Sequence, residues 1–592
     1  MTSPSRWRSF LEERTGLPSA LGRAVDVAVP GGPRWRRVFG ASLSALLLLE
    51  AVTGAAMMTV YSPSTTAAWS STWYLETVLP WGRLVRGIHH FGMHAIVALL
   101  VLHLVQVVLD RASRKPRELN HLLGLALGGL VLFAAMTGFP LAWDQRGYWV
   151  SRIEIGIIGS VPVLGTSLQR LLVGGAHYGQ FTLTRFHTLH VWLVPLLLLL
   201  GVRAHIAMVR RHGLKGDAGR GDPQARWWPG QAARDAVAAL ISVAVVTWMA
   251  RRWGAPLDAP ADPASHFPAV PTWFFSPLSQ LLRYFPGPRQ VIGTMIIPGA
   301  LTAFLALLPW IDRSESRWRR ALVLSPLLLA GLGAVALGVQ QRRGLAKPAF
   351  VRSLREAQHT AWRARRLARA GIPPEGPLEM VRNDPAVRPG ELFAQHCGTC
   401  HAVRGLSQQR KAPRLDGFGS REWATAFVVW PDHPELMGTT EIHDMSGQRR
   451  RLRDEGVRAV AEWLYSRGYE PGESAPDAAL VAAGETIYRR RCTTCHQGEG
   501  DTSETEAADR DAPNLDAWGS RAYLRAQMLN PGARENYGER NHMPRFHDRM
   551  NERDLTMVVD FMRSLRTRPA PAVMEQPAEP VRPDLTPGAY GG

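Results

Sequence analysis

Cysteine is scarce in this chain. The 592 residues include only four cysteines, and all four lie in two Cys-x-x-Cys-His pentapeptides, at 397–401 and 492–496. This excludes a disulfide-built scaffold and leaves no thiol for a cysteine-ligated iron–sulfur cluster. Long apolar runs are also missing after about residue 342. The mean hydropathy of -0.10 therefore averages an apolar membrane half and a polar, water-soluble half.

Acidic residues are outnumbered, with 50 Asp plus Glu against 69 Lys plus Arg and a net charge of +19. A basic surplus can indicate a nucleic-acid partner. Here the basic residues gather in short segments beside apolar runs, and this pattern is typical of membrane orientation. We therefore expect no nucleic-acid partner.

Seven apolar runs approach or exceed the roughly 20 residues that cross a bilayer. The predicted spans are 38–60, 88–110, 121–142, 188–209, 233–250, 290–309 and 320–340. The segments before span one and between spans two and three, four and five, and six and seven are basic. By the positive-inside rule these segments face the cytoplasm, which predicts a cytoplasmic N-terminus and an exported C-terminal half.

The polar half contains an internal repeat. The segment from Cys397 through 412–416 recurs from Cys492 through 512–516, and each copy ends in a helical pattern. The sequence thus predicts an all-α protein, with a seven-helix membrane bundle followed by two small helical domains. The expected parts are an N-terminal segment 1–37, membrane domains 38–215 and 216–341, a linker 342–388, repeat domains 389–470 and 476–568, and a disordered tail 569–592.

The two pentapeptides carry the signature of covalent c-type haem, in which two thiols bind the vinyl groups and the adjacent imidazole ligates the iron. A zinc site would need a second Cys-x-x-Cys pair near each copy, and none is present. The predicted attachment residues are Cys397, Cys400 and His401 in the first repeat and Cys492, Cys495 and His496 in the second.

A methionine thioether late in each repeat is expected to be the sixth iron ligand. In the second repeat Met543 precedes the last helical pattern, and in the first repeat Met445 occupies the matching place. Met437 is the competitor in the first repeat. The alternative for each methionine is a core-filling role.

Histidines inside apolar spans are costly and therefore functional candidates. His89 and His103 are 14 residues apart, which returns to within about 40° of one helix face at a depth difference of about 21 Å. His190 and His205, 15 residues apart, give about 60° and 22 Å. Two helices with histidines at two matched depths predict two bis-imidazole b haems. We expect the remaining span histidines His90, His94 and His187 to be packing or rim residues.

Glycines repeat at the same spacing in the neighbouring spans. Gly40 and Gly54 in span one, and Gly124 and Gly138 in span three, are again 14 residues apart. Single membrane glycines usually mark helix packing. Two pairs at the haem spacing favour close approach of a flat macrocycle to the backbone.

Several motifs resemble one family. The segments 115–119 (KPREL), 143–149 (WDQRGYW) and 183–190 (LTRFHTLH) are similar to the cytochrome b subunit of quinol:cytochrome c oxidoreductases, the Rieske/cytochrome b complexes. The 15-residue spacing resembles the chloroplast and cyanobacterial branch. Segments 260–263 and 281–287 look like the separate small subunit of that branch, here fused on.

The resemblance implies roles for particular residues. His89 with His190 would ligate the low-potential haem near the outer face, and His103 with His205 the high-potential haem near the inner face. Arg86 and Arg185 would be the cations that contact the haem propionates.

The chain departs from the family at the outer quinol site. The family motif Pro-Glu-Trp-Tyr appears as Pro271-Thr272-Trp273-Phe274, so the carboxylate that takes a quinol proton is absent there. Asp144 or His266 is the expected replacement, with Thr272 and Trp273 lining the site. The cysteine that tethers an extra haem in that branch is absent too.

The implied function is that of a bacterial inner-membrane subunit of a quinol–cytochrome c oxidoreductase with two b and two c haems. Quinol oxidation would feed a separate Rieske protein, the c haems and a downstream cytochrome c or terminal oxidase, with proton translocation in a homodimeric complex. The alternatives are a haem electron conduit or simple quinol dehydrogenase without bifurcation, and a membrane-anchored electron-carrier module.

Overall fold

A computed structural model describes residues 4–571, apart from 17, 20, 21, 23, 24, 176, 214–224, 444, 497–511 and 534, and apart from the side chains of 4–6. Most of the predicted tail 569–592 lies outside the described residues. The chain divides into two compact units, Met1–Val381 and Arg382–Gly592. The described residues form no strands, only helices and isolated bridges, so the all-α prediction is confirmed.

Where the structure describes the first unit, seven helical segments are long and apolar enough to cross a membrane. They are Phe39–Met58, Gly82–Leu109, Glu118–Ala142, Gln180–His212, Trp227–Trp253, Gly287–Ile311 and Arg317–Leu345. Each overlaps one predicted span, and the predicted membrane bundle is confirmed. The α-helices of this unit are α1 (Pro4–Thr15), α2 (Phe39–Met58), α3 (Ala68–Thr77), α4 (Gly82–Leu109), α5 (Glu118–Gly138), α6 (Gln145–Gly159), α7 (Gly165–Val173), α8 (Gln180–Thr188), α9 (Val194–His212), α10 (Ala232–Trp253), α11 (Ser276–Leu282), α12 (Ile297–Ile311), α13 (Arg317–Leu345), α14 (Pro348–Ala368) and α15 (Pro377–Arg382), the last of which reaches the unit boundary.

The basic segments meet at one end of the bundle. Arg36, before α2, pairs with Asp110 at the end of α4 at 3.0 Å. Arg114, between α4 and α5, pairs with Asp312 after α12 at 3.3 Å. Arg117 donates to the His212 carbonyl at the end of α9. The described parts of all four segments that the positive-inside rule assigns to one side therefore lie on one side.

The opposite end of the bundle is covered by short helices and by the segment after α10. Trp69 of α3 donates its indole N–H to the Asp258 carbonyl at 2.8 Å. The predicted linker 342–388 also packs here, because α14 buries three alanines against this end (Ala361, Ala364 and Ala368), and Arg365 donates to the Leu257 carbonyl. Much of the linker is thus an ordered part of the first unit, held by the alanine face of an amphipathic helix.

The described residues of the second unit form six α-helices. They are α16 (Arg388–His396), α17 (Arg421–Val429), α18 (Arg449–Arg467), α19 (Ala478–Arg491), α20 (Arg521–Leu529) and α21 (Glu552–Ser564). Helix α18 is kinked at Arg453, which has a φ of 56°. Helices α16 to α18 belong to the first repeat and α19 to α21 to the second.

The packing of this unit crosses the predicted boundary between the repeats. Helix α16 packs against α21, and α19 packs against α18, so both contacts join the segment 389–470 to the segment 476–568. The domain bounds themselves stay a prediction. The two repeats carry equivalent helices, so either copy of the last helix offers an apolar face to either first helix.

Candidate functional site

His89 and His190 face each other between α4 and the fourth span. Their ring centroids are 6.1 Å apart with the ring planes at 76°. An imidazole nitrogen binds a metal at about 2.0 Å, so a centroid separation near 6 Å fits one iron between two imidazoles. His89 Nδ1 lies 2.9 Å from a Glu50 carboxylate oxygen, and His190 Nδ1 lies 3.0 Å from the Ala134 carbonyl. Partners on Nδ1 orient a ligating histidine and leave Nε2 for the metal.

The 15-residue spacing of the fourth span has a local cause. Residues Leu189–Leu193 form a π-helical turn, in which Val194 N–H donates to the Leu189 carbonyl. A π-turn accommodates one extra residue. His190 and His205 therefore keep nearly the phase of His89 and His103, although they are one residue farther apart in sequence.

The second predicted pair is His103 and His205, which follow the first pair by 14 and 15 residues along the same two spans. His103 Nδ1 lies 3.3 Å from the Gln106 side-chain oxygen. The structure therefore brings His89 and His190 together, and the pairing of His103 with His205 stays a prediction.

Three of the four predicted glycines lie against these imidazoles. A Cβ at Gly54 would be 3.4 Å from His89 Cε1, at Gly124 3.3 Å from His205 Cε1, and at Gly138 2.8 Å from His190 Cε1. Gly40 has no neighbouring atom within 4 Å of its Cβ position. Gly54, Gly124 and Gly138 thus keep the surroundings of three imidazoles free of side-chain bulk, those of His89, His190 and His205.

The remaining span histidines contact protein side chains. His94 accepts a hydrogen bond from Trp273 Nε1 at 2.9 Å, and its ring centroid is 4.8 Å from that of His90. His187 stacks on Tyr61 at 5.6 Å. These contacts are typical of packing residues.

The two predicted propionate ligands are bound to protein groups. Arg86 forms an ion pair with Glu76 and donates to the Pro256 carbonyl at 2.7 Å. Arg185 donates to the Arg170 and Leu171 carbonyls. A propionate contact at either guanidinium stays a prediction.

Both pentapeptide histidines are held in the same way. His401 Nδ1 lies 2.7 Å from the Pro413 carbonyl, and His496 Nδ1 lies 2.8 Å from the Pro513 carbonyl. Burial lowers the pKa of both imidazoles, which keeps them in the neutral form that a metal ligand needs. All four cysteine thiols are free. The residues present therefore fit covalently attached haem.

Comparison with known families matches the membrane part in two adjacent pieces. The family described as "Cytochrome b(N-terminal)/b6/petB" matches residues 94–260, and "Cytochrome b(C-terminal)/b6/petD" matches 260–341. The family described as "Cytochrome c" matches 481–566, the second repeat. Cytochrome b6 of Pyropia yezoensis is 38% identical over 212 residues, which cover 36% of this chain and 99% of that protein. The chain belongs to the cytochrome b family.

Two further similarities accompany this assignment. Cytochrome b6 of Porphyra purpurea is also 38% identical over 212 residues, with the same coverage. A solved structure titled "Hyperthermophilic respiratory Complex III" has a TM-score of 0.49 and 22% identity, and the match covers 58% of this chain and 93% of that one. The family matches and the seven apolar helices make this protein a multi-pass membrane cytochrome b extended by a cytochrome c region, and electron transfer through b and c haem is its general activity.

The predicted outer-site residues of this cytochrome b are placed differently from one another. Asp144 is buried and caps the N-terminus of α6, with one oxygen accepting from Gly147 N–H at 2.8 Å and the other from Asp258 N–H at 3.0 Å. This gives Asp144 a structural role, which the sequence alone did not indicate. Thr272 is partly exposed and its hydroxyl oxygen is buried, whereas His266 is exposed.

Sequence reasoning missed two acidic residues. Glu50 lies within span one and contacts His89, as described above. Glu154 lies in α6, one turn after Ser151, and both of its carboxylate oxygens are buried without a hydrogen-bond partner among the described residues. Burial raises the pKa of Glu154 to about 8. A carboxylate inside an apolar helix pattern was the available signal for both.

Proposed function

We propose that this protein is the membrane cytochrome b/c subunit of a quinol–cytochrome c oxidoreductase with two b haems and two c haems. The observation that carries the proposal is the opposed pair His89 and His190. Helical spacing puts a second pair, His103 and His205, at a matched depth. Two such pairs at different depths of a membrane bundle suit an electron-transfer path across the membrane rather than a single buried cofactor.

The chain's own residues orient the proposed ligands. Glu50 and the Ala134 carbonyl hold Nδ1 of the outer pair, and Gln106 holds Nδ1 of His103. The prolyl carbonyls at 413 and 513 do the same for the pentapeptide histidines. Haem bound at these sites would supply one-electron transfer.

The proposed orientation follows from the charges. The basic segments gather on one end of the bundle, as the contacts of Arg36, Arg114 and Arg117 indicate. We place that end in the cytoplasm and the cytochrome c region outside a bacterial inner membrane. His89 and His190 then lie toward the outer face, and His103 and His205 toward the inner face.

The proposed outer quinol site needs a group that accepts the quinol proton. Thr272 replaces the family's glutamate, and a threonine hydroxyl is no base near pH 7. Both oxygens of Asp144 already accept backbone N–H bonds, so its proposed role is to position α6. Glu154 is the carboxylate that we propose as the acceptor, because it lies in the helix that Asp144 caps and both of its oxygens are buried without a hydrogen-bond partner among the described residues. Its pKa of about 8 also suits proton transfer at physiological pH. His266 stays a prediction.

The proposed partners follow from what the sequence lacks. The four cysteines are all committed to the pentapeptides, so a Rieske iron–sulfur centre must belong to another chain. Quinone in the membrane, a homodimeric assembly and a downstream cytochrome c or terminal oxidase complete the proposed complex.

The testing experiment uses the detergent-solubilised complex with its co-purifying subunits identified. We expect quinol-dependent reduction of cytochrome c that an outer-site inhibitor blocks, and a pyridine haemochrome ratio of b to c haem of one to one. A clearly different ratio would contradict the haem count. Inhibitor-insensitive turnover, or no Rieske chain in the preparation, would contradict the bifurcating oxidoreductase.

A second candidate function is a haem electron conduit, or a simple quinol dehydrogenase, without bifurcation. The observation that favours it is Thr272 at the position of the family's carboxylate. Under this alternative the haem ratio is unchanged, but quinol-dependent cytochrome c reduction does not respond to the outer-site inhibitor.

A further inference from the structure

The helix before the first pentapeptide packs on the last helix of the other repeat. Phe393 of α16 lies 5.3 Å from Phe561 of α21, measured between ring centroids. Arg388 at the start of α16 forms an ion pair with Asp554 of α21 at 3.3 Å. The first repeat therefore finds its C-terminal helix partner in the second repeat.

The reciprocal pair has the same arrangement. Tyr488 of α19 stacks on Trp463 of α18 with centroids 4.0 Å apart. A Cβ at Gly484 would lie 2.1 Å from the Ala459 carbonyl oxygen, so only glycine permits this crossing. Phe393 and Tyr488 each precede the first cysteine of their pentapeptide by four residues. The two crossings are thus equivalent, and both join different repeats.

The buried side chains around each pentapeptide also come from both repeats. One cluster joins Cys397, Val403 and Leu415 of the first repeat to Leu524, Phe546 and Val558 of the second. Met543 packs against this cluster. In the other cluster, Cys492 of the second repeat packs against α17 and α18 of the first.

Backbone pairing identifies the methionine of the first repeat that corresponds to Met543. Phe546 N–H donates to the Met528 carbonyl in α20, and Gln448 N–H donates to the Val428 carbonyl at the same position in α17. Met543 and Met445 each precede these donors by three residues. Met437 instead matches Tyr537, since their N–H groups donate to the carbonyls of Pro431 and Pro531. This register favours Met445 over Met437.

We propose that each c haem is held by both repeats, with Met543 as the distal ligand of the haem on Cys397, Cys400 and His401. Met445 is then the distal ligand of the haem on Cys492, Cys495 and His496. The proposal rests on the proposed function only for the presence of covalent haem. It replaces the expectation that each methionine serves its own repeat.

Two buried arginines hold the exchanged arrangement together. Arg563 of α21 donates to the carbonyls of Gly468 and Gly519 at 2.7 and 2.6 Å. Arg566, just after α21, donates to the carbonyls of Gly468 and Tyr465, and both guanidinium groups pair with Glu473. The end of the second repeat is therefore fastened to the end of α18 in the first.

The test uses the full chain in its complex with one c haem removed at a time. One background carries Cys492→Ala and Cys495→Ala and retains the first haem, and the other carries Cys397→Ala and Cys400→Ala and retains the second. Met543→Ala is added to each. We expect loss of the near-infrared band of methionine-ligated ferric haem, and a lower midpoint potential, only in the background that retains the first haem. Loss only in the other background, in both, or in neither overturns the proposal.

A second measurement does not need haem and covers the case in which a single-haem variant fails to fold. Phe393 and Tyr488 are each replaced by alanine in combination with Phe561→Ala or Trp463→Ala, which gives four double-mutant cycles. Guanidinium unfolding of the second unit is followed by hydrogen exchange in the complex. We expect coupling of about 2- to 10-fold in the unfolding equilibrium for Phe393 with Phe561 and for Tyr488 with Trp463. Coupling of Phe393 with Trp463 and of Tyr488 with Phe561, or coupling in none of the four pairs, overturns the proposal.

The two failures are distinguishable. Haem staining of the denatured parent chain that shows no covalent haem contradicts the proposed function, while the double-mutant cycles still decide the exchange. If the parent retains covalent haem and the cycles couple within repeats, the exchange alone is wrong.

Discussion

The substitution Gly138→Ala tests whether the glycines in span three make room for the outer b haem. The added Cβ would lie 2.8 Å from His190 Cε1 and 3.2 Å from its Nδ1. Ordinary carbon contacts are about 3.5–4.0 Å, so the imidazole or α5 must move by several tenths of an ångström. Rotation of the ring would also break the 3.0 Å contact of Nδ1 with the Ala134 carbonyl.

The size of the effect follows from these contacts. Overpacking of this kind costs about 1–3 kcal/mol, which corresponds to about 5- to 150-fold weaker haem binding at His190. Alanine is better than glycine within a helix by about 1 kcal/mol, so Gly138→Ala should not unfold α5 itself. We therefore expect a folded protein that has lost much of its outer b haem.

The matched control is Gly129→Ala in the same helix, where a Cβ has no neighbour within 4 Å. Gly124→Ala, at 3.3 Å from His205 Cε1, should have a smaller effect, and on the inner b haem instead. The assay is the pyridine haemochrome ratio of b to c haem in purified complex, with a redox titration to show which b haem remains. An unchanged ratio in Gly138→Ala, equal to that of Gly129→Ala, would refute the reasoning.

Three further predictions concern other sites. His205→Leu should remove the inner b haem while the thioether-linked c haems remain attached; haem staining of denatured protein measures the latter, and loss of that stain from abundant chain would contradict the assignment. In the parent, turnover should rise with pH toward about 8 as the Glu154 carboxylate deprotonates, and Glu154→Gln should flatten that rise; a pH profile identical to the parent's argues against this base. Gly484→Ala should destabilise the second unit by about 1–3 kcal/mol because its Cβ meets a backbone carbonyl, whereas Gly532→Ala, at 3.6 Å from its nearest neighbour, should not; equal unfolding midpoints for the two variants would speak against the tight α18–α19 crossing.

The spans and the opposed pair His89 and His190 were predictable because their signals are local. A run of about 20 apolar residues must cross a membrane or be buried. A helix turns through about 100° per residue, so the spacing alone puts His89 and His103 near one face of their helix, and likewise His190 and His205. The π-turn at Leu189–Leu193, which corrects the phase of the longer spacing, has no comparable sequence signal.

Roles that depend on distant backbone were not predictable. Asp144 was predicted, as an alternative to His266, to be a base, and this stays a prediction. Its side chain also caps α6 and accepts from the N–H of Asp258, more than a hundred residues later, and the sequence did not predict that contact. Likewise the linker 342–388 carries a basic composition, and only the tertiary structure presents the surface against which its alanine face packs.

The two repeats show most clearly where sequence stops and tertiary structure decides. The sequence by itself determined the pentapeptides, their histidines, the helix before each one and the candidate methionines Met445 and Met543. It did not determine which last helix each first helix meets, because both copies present an equivalent apolar face and either pairing satisfies the local pattern. The choice depends on contacts between the repeats, such as those of Arg563 and Arg566 with the Gly468 carbonyl, and such contacts exist only once the chain is folded.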